Sequence, residues 1–174
     1  MGPIEAMIYT IKKGNHYSRH WPKLHTGKTR MKIRFAFLKG CWWPTVKPDD
    51  AAINKLAGWS FGLHHKNSIR VGWAPSLTKN KIDLYFYLYH NGSRHTRLFA
   101  TVDCRVYHDL KIEIDGPHMN GLLSFSMRSE EGVTTLASCS YRMPKFKYGY
   151  ILFPYVGGKL TARADANIDL GFLE

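Results

Sequence analysis

The stretch Gly58–Trp73, GWSFGLHHKNSIRVGW, gathers side chains able to do chemistry: a serine between spaced glycines, two adjacent histidines and an arginine inside an apolar alternation. GWSFG fits the G-x-S-x-G turn that exposes a nucleophilic serine. That turn needs a helix directly after Ser60, whereas LHHKNSIRVGW turns and then runs on as a strand. His64 and His65 are of the commonest metal-ligand type, but neighbours in extended chain point to opposite faces, and no cysteine or carboxylate stands at ligand spacing nearby. His16 and His20 have the spacing of a helical pair, yet Gly14 and Pro22 bracket them. HTGKT, His25–Thr29, ends like a phosphate-cradling loop, but Pro22 occupies the place of that loop's first glycine. No catalytic set, metal or cofactor is therefore expected.

What remains is a binding face. In SIRVGW, Ile69, Val71 and Trp73 alternate inward and leave Ser68, Arg70 and Gly72 opposite, with Gly72 opening the backbone beside Arg70 to a ligand. His64–Asn67 form the polar loop at its rim. In KIDLYFYLYHNGSRHTRLFATV, a three-residue hairpin loop Asn91–Ser93 pairs Ile82 with Val102, Leu84 with Ala100 and Phe86 with Leu98, giving one apolar face. The other face then carries Tyr85, Tyr87 and Tyr89 beside His95, Arg97 and Phe99. A two-residue loop sets Phe86 against Arg97, which segregates polar from apolar less well.

The expected ligand-binding residues are His64, His65, Asn67, Arg70, Trp73, Tyr85, Tyr87, Tyr89, His95 and Arg97. Rings stack on bases, a guanidinium clamps phosphate and histidine adds charge when phosphate is near. This set predicts a non-enzymatic binder of a small phosphate-bearing nucleotide. Its rivals are a carbohydrate-binding sandwich stacking the same tyrosines on sugars, a structural virion module, and a Ser60 hydrolase or histidine phosphodiesterase.

The elements that must hold these groups are strands. Period-two alternation marks Met31–Phe37, Ser68–Trp73, Lys81–Tyr89, His95–Val102, Tyr107–Ile114, Leu122–Arg128, Val133–Tyr141, Tyr150–Tyr155 and Ala166–Phe172. Turn signals such as Asn91-Gly92 separate several of them. Only Pro48–Leu56 carries a helix-start signal, and Gly14–Arg30 is the least periodic part. Many short strands at regular spacing predict an all-β antiparallel sandwich, jelly-roll-like, with at most one or two short helices. With 174 residues the chain suits one domain, its first thirty or so residues forming a basic strand or loop segment.

Lys and Arg number 25 against 13 Asp and Glu, a formal charge of +12, which favours anionic partners: a nucleotide first, with nucleic acid also compatible. A homo-oligomer is equally compatible. Cys41, Cys104 and Cys139 are odd in number and widely spaced, which suits reduced thiols and neither a disulfide framework nor a zinc set. The N-terminus has no long apolar run before a small-residue cleavage site, and no stretch has the length to span a bilayer. The expectation is a soluble protein of a reducing compartment.

GWSFGLHHKNSIRVGW, the aromatic strand with YHNGSR and the C-terminal YILFPYVGGKLTARADANIDL together resemble a family of small β-rich proteins of gut bacteria and their phages. Val156 replaces an aromatic residue and Arg163 a proline usual in that family. The resemblance spans roughly Ala57–Leu170, implies a jelly-roll-like sandwich and carries no catalytic set. A phage setting implies the bacterial host cytoplasm as compartment and sequestration of the nucleotide signals of bacterial immunity there.

Overall fold

The computed structural model describes residues 4–45, 53–115, 120–129, 132–142, 144, 148–157 and 160–173. Among the described residues twelve strands form two six-stranded antiparallel sheets. The first sheet runs in the order β1 (Ile4–Ile11), β12 (Ala166–Leu173), β3 (Arg30–Phe37), β8 (His108–Asp115), β9 (Asn120–Ser129), β10 (Gly132–Arg142). The second runs β2 (Lys23–Thr26), β11 (Tyr148–Leu152), β4 (Asn54–Ser60), β5 (Ser68–Pro75), β6 (Lys81–His90), β7 (Ser93–Asp103). This is the all-β, jelly-roll-like sandwich that alternation predicts. No described residue is helical, and no helix among the described residues is long and apolar enough to cross a membrane.

Each sheet contributes its alternate residues to one shared core. Ile69, Val71 and Trp73 of β5 and Leu84, Phe86 and Leu88 of β6 face Ile33, Phe35 and Phe37 of β3 and Phe125 of β9. The layers interlock through rings: Phe37 against Trp73 with centroids 5.1 Å apart, and Phe86 against Phe125 at 4.9 Å. Such pairs add about 0.5–1.5 kcal/mol each to the gain from burial itself. Cys41 is buried while Cys104 and Cys139 are half-buried, all three as free thiols.

Three departures from the alternation matter for the site. Asn54–Leu56, expected to end a helix, instead open β4, and residues 48–52 of that expectation lie outside the described residues. The supposed loop Gly14–Arg30 contains β2 and a bridge from Tyr17 to Tyr155. The β6–β7 hairpin combines both registers weighed from the sequence. Ile82 pairs with Val102 and Leu84 with Ala100, but a bulge at Phe99 then sets Tyr85 opposite Leu98 and Phe86 opposite Arg97. The hairpin closes at His90–Ser93 on a two-residue turn, with Asn91 at φ 48° and Gly92 at φ 85°. Two consecutive positive φ values are what an Asn-Gly hairpin turn supplies, so the three-residue loop is replaced by a tight turn plus one bulged residue.

Candidate functional site

The outer face of the second sheet carries a cluster of cations and phenols separate from the shared core. Arg70 on β5 pairs with Gly58 of β4 on one side and Tyr87 of β6 on the other. Gly58 is required there: a Cβ would meet the Ile69 carbonyl oxygen at 2.1 Å and the Arg70 Cα at 2.7 Å. Gly72, two residues on, does not open the backbone to a ligand as alternation suggests, because the Ile53 Cγ2 would stand 2.6 Å and the Tyr85 Cβ 3.1 Å from an added Cβ. Ile53, Ala74, Tyr85 and Tyr87 form a small cluster of their own on this face, with Tyr89 packed against it.

Lys55 joins Arg70 because of a bulge. Strict alternation from Trp59 turns Lys55 inward, but the register shifts between Lys55 and Ala57, so Lys55 pairs with Gly72 on the outer face. Its backbone also forms a bridge with Tyr155, donating to the Tyr155 carbonyl at 2.8 Å and accepting from its N–H at 2.9 Å. The amine donates to the Gly157 carbonyl at 2.9 Å and stands 4.8 Å from the Tyr87 ring centroid and 5.4 Å from that of Tyr155. Burial, with Arg70 and Arg94 nearby, pulls its pKa from 10.5 down to about 8.

Arg70 is only 7% exposed. Its Nη2 donates to the His64 carbonyl at 3.4 Å, while its Nε is buried with no hydrogen-bond partner among the described residues. Burial lowers its pKa, and the nearby phenols of Tyr87, Tyr89 and Tyr155 oppose that. Ser68, on the same face and paired with Tyr89, likewise buries an Oγ without a partner. Neither Lys55 nor Arg70 has an ion-pair partner among the described residues. Two buried cations without a carboxylate partner among the described residues are costly to keep. An anion bound between them would relieve that cost.

Tyr87 donates to Tyr89 and accepts from Arg94, and burial is the main reason its phenol is pushed up. The Tyr87 and Tyr89 rings meet edge-on at 61°, with His65 edge-on to Tyr89. The His64 and His65 rings lie 4.1 Å apart on the exposed β4–β5 turn. Burial, followed by the charge of Arg70, holds His64 down at about 4 and His65 below its ordinary value. Both shifts favour the neutral imidazole.

Of the ten residues expected to bind ligand, the structure gathers Arg70, Tyr85, Tyr87, Tyr89, His64 and His65 on or beside this face. Trp73 is fully buried in the core on the opposite side of the sheet. His95 and Arg97 are also set apart, since the tight turn and the Phe99 bulge pair them with Leu88 and Phe86. Arg94, opposite Tyr89, takes the place expected of Arg97. Asn67 ties two hairpins together, its Oδ1 accepting from the Asn91 N–H at 3.1 Å. Ser60 is a buried strand residue whose Oγ accepts from the Tyr150 N–H at 3.1 Å, so no nucleophile turn exists at GWSFG. Among the described residues no group of three or more His, Cys, Asp or Glu could hold a metal ion.

Alternation missed Lys55, Arg94 and Tyr155; it put Ser68 on this face, though not among the expected ligand contacts. The lysine and Arg94 depend on irregular register and Tyr155 on a bridge distant in sequence.

Solved structures share this architecture. The alginate lyase vAL-1 from Chlorella virus is 12% identical, with 96% of this chain and 83% of that chain covered and a TM-score of 0.51. The catalytic domain of a glycoside hydrolase family 131 protein from Coprinopsis cinerea is 8% identical, with 97% and 70% covered and a TM-score of 0.52. A family 131 β-glucanase catalytic domain from Podospora anserina is 12% identical, with 97% and 69% covered and a TM-score of 0.50. At such identities the likeness is one of fold. It agrees with the jelly-roll-like sandwich and says nothing of gut bacteria or phages. No family model matches the chain, and no curated protein matches it.

Proposed function

We propose that this chain binds an acidic polysaccharide across the outer face of the second sheet, seating a uronate carboxylate on Arg70 and Lys55. The observation that carries this reading is the pair of buried cations with no ion-pair partner among the described residues, beside an Arg70 Nε and a Ser68 Oγ that lack hydrogen-bond partners. A carboxylate offers two oxygens to a guanidinium fork and a third interaction to the ammonium.

Carbohydrate is favoured over the nucleotide expected from the sequence. A base needs an open ring face to stack on, whereas Tyr85 and Tyr87 are 7% and 4% exposed and Tyr87 meets Tyr89 edge-on. The fold neighbours add a weaker argument, since their names are those of an alginate lyase and of glycoside hydrolases.

A second reading, cleavage of the same polymer by β-elimination, is favoured by one observation: the Lys55 amine, with its pKa near 8, lies over the ring of Tyr87, whose phenol is hydrogen-bonded to Tyr89. With the carboxylate neutralised by Arg70, the proton on the carbon α to it becomes more acidic. The neutral Lys55 amine takes that proton, and the electron pair forms a double bond to the β carbon. The bond from that carbon to the glycosidic oxygen breaks, and the Tyr89 phenol protonates the leaving oxygen. Lys55 then returns its proton to the phenolate.

Affinity electrophoresis through gels carrying a polyuronate or a neutral glucan tests binding; retardation by the polyuronate alone is expected, and equal mobility in both gels would overturn the reading. Ultraviolet absorbance of an unsaturated uronate, followed with the same polymer, tests cleavage. Its absence alongside binding would leave a binding module.

A further inference from the structure

The same face continues past Arg70 to a group of exposed apolar side chains. In β11, Ile151 turns inward opposite Trp59, so Tyr148 and Tyr150 turn outward, and Leu24 of β2 pairs with Tyr150. Leu24 is 71%, Tyr148 57% and Tyr150 42% exposed. Trp21, 87% exposed, lies three residues before Leu24 at the entry to β2. An aromatic and aliphatic platform of this kind on a strand face marks a contact surface more often than chance exposure does. It is continuous with the cation cluster. The strand order is β2-β11-β4-β5-β6, so Tyr150 stands two strands from Arg70, roughly 10 Å across the sheet. Between them β4 carries the small residues Gly58 and Ser60, facing Arg70 and Ser68 of β5.

We infer that Leu24, Tyr148 and Tyr150 form a second sugar subsite. It would take the apolar face of a pyranose ring one or two residues along the polymer whose carboxylate sits on Arg70 and Lys55. This rests on the proposed carboxylate site and adds to it a direction and a length: the polymer crosses the strands from β6 toward β2, and the face reads several sugar residues at once. The platform itself contains no charged side chain, so it selects by ring shape and stacking and leaves charge selection to Arg70. Sugar rings present C–H groups on one face, which pack on a phenol ring while the hydroxyls at its rim stay in water.

The test is calorimetric titration of the full chain with an oligouronate disaccharide, the corresponding hexasaccharide and a neutral gluco-hexasaccharide. Wild type should bind the charged hexasaccharide more tightly than the disaccharide. Tyr150→Ala should weaken the hexasaccharide about tenfold and leave the disaccharide unchanged, while Tyr150→Phe should retain wild-type affinity, since stacking needs the ring and not the hydroxyl. Arg70→Met should lose both charged ligands. If Tyr150→Ala leaves hexasaccharide affinity intact, or weakens both charged ligands equally, the subsite is refuted and the carboxylate site stands. If only the neutral hexasaccharide binds, and does so through Tyr150, the platform stands and the carboxylate reading falls. Binding of none of the three refutes both.

Discussion

Lys55 offers a perturbation whose sign follows from its burial. In the folded chain its amine holds a proton only up to about pH 8, against 10.5 for an ordinary lysine. Between those values the unfolded chain binds more protons than the folded one, so stability rises with pH there; below about pH 8 both states are protonated and the contribution is flat. Integrating proton binding from about pH 7 to about pH 9.5 gives a gain of about 2 kcal/mol for wild type. The variant Lys55→Met lacks the titrating group and should lack the gain. Urea denaturation of both proteins at the two pH values reads the difference directly. Wild type minus variant should move in favour of wild type by about 2 kcal/mol as pH rises. A constant difference, or one that moves the other way, refutes the account of Lys55 as a desolvated cation. A bound carboxylate reverses the effect by restoring the charge, so binding of a polyuronate near pH 8.5 should take up protons. Titration in buffers of different ionisation enthalpy measures that uptake.

Other outcomes follow from the same geometry. Arg70→Lys should fail to restore polyuronate binding lost in Arg70→Met, because an ammonium cannot reproduce the guanidinium fork; gel retardation checks this, and full recovery would argue against bidentate recognition. Gly58→Ala places a Cβ 2.1 Å from the Ile69 carbonyl oxygen and should cost about 1–3 kcal/mol in a denaturation curve. In a His65→Gln variant polyuronate affinity should be flat from about pH 5.5 to 7, since His64 is held down at about 4; a rise in affinity on acidification through that range would assign His64 a charged role. Affinity should fall with added salt, though less than for a fully exposed cation patch, because Arg70 and Lys55 are buried.

The sandwich was legible because alternation survives in nine of the twelve strands. What escaped were segments with another local character. β4 reads as a helix end followed by a nucleophile turn, since its sequence NKLAGWS mixes small residues with a bulge. β2 is four residues long inside a basic, ring-rich loop. Half of the site was legible for the same reason as the fold: Arg70 alternates against Ile69 and Val71, and the tyrosines against Leu84, Phe86 and Leu88. The other half was hidden by register. A bulge turns Lys55 outward, a second bulge at Phe99 with a tight Asn91-Gly92 turn exchanges Arg94 for Arg97, and Tyr155 arrives from a hundred residues away through a bridge to Lys55. Trp73 was misjudged as a ligand contact although its own alternation pointed inward. That Ile53 packs on Tyr85 and Tyr87 was hidden, because Ile53 reaches this face only through the strand that the sequence did not reveal.

The central claim is that Arg70 and Lys55 hold a sugar carboxylate. Calorimetric titration with a polyuronate and with the same polymer after reduction of its carboxylates to alcohols tests it most directly. The account predicts binding to the acidic polymer and at least tenfold weaker binding to the reduced one, with Arg70→Met erasing the difference. Equal affinity for the two polymers, or discrimination that survives in Arg70→Met, would contradict it.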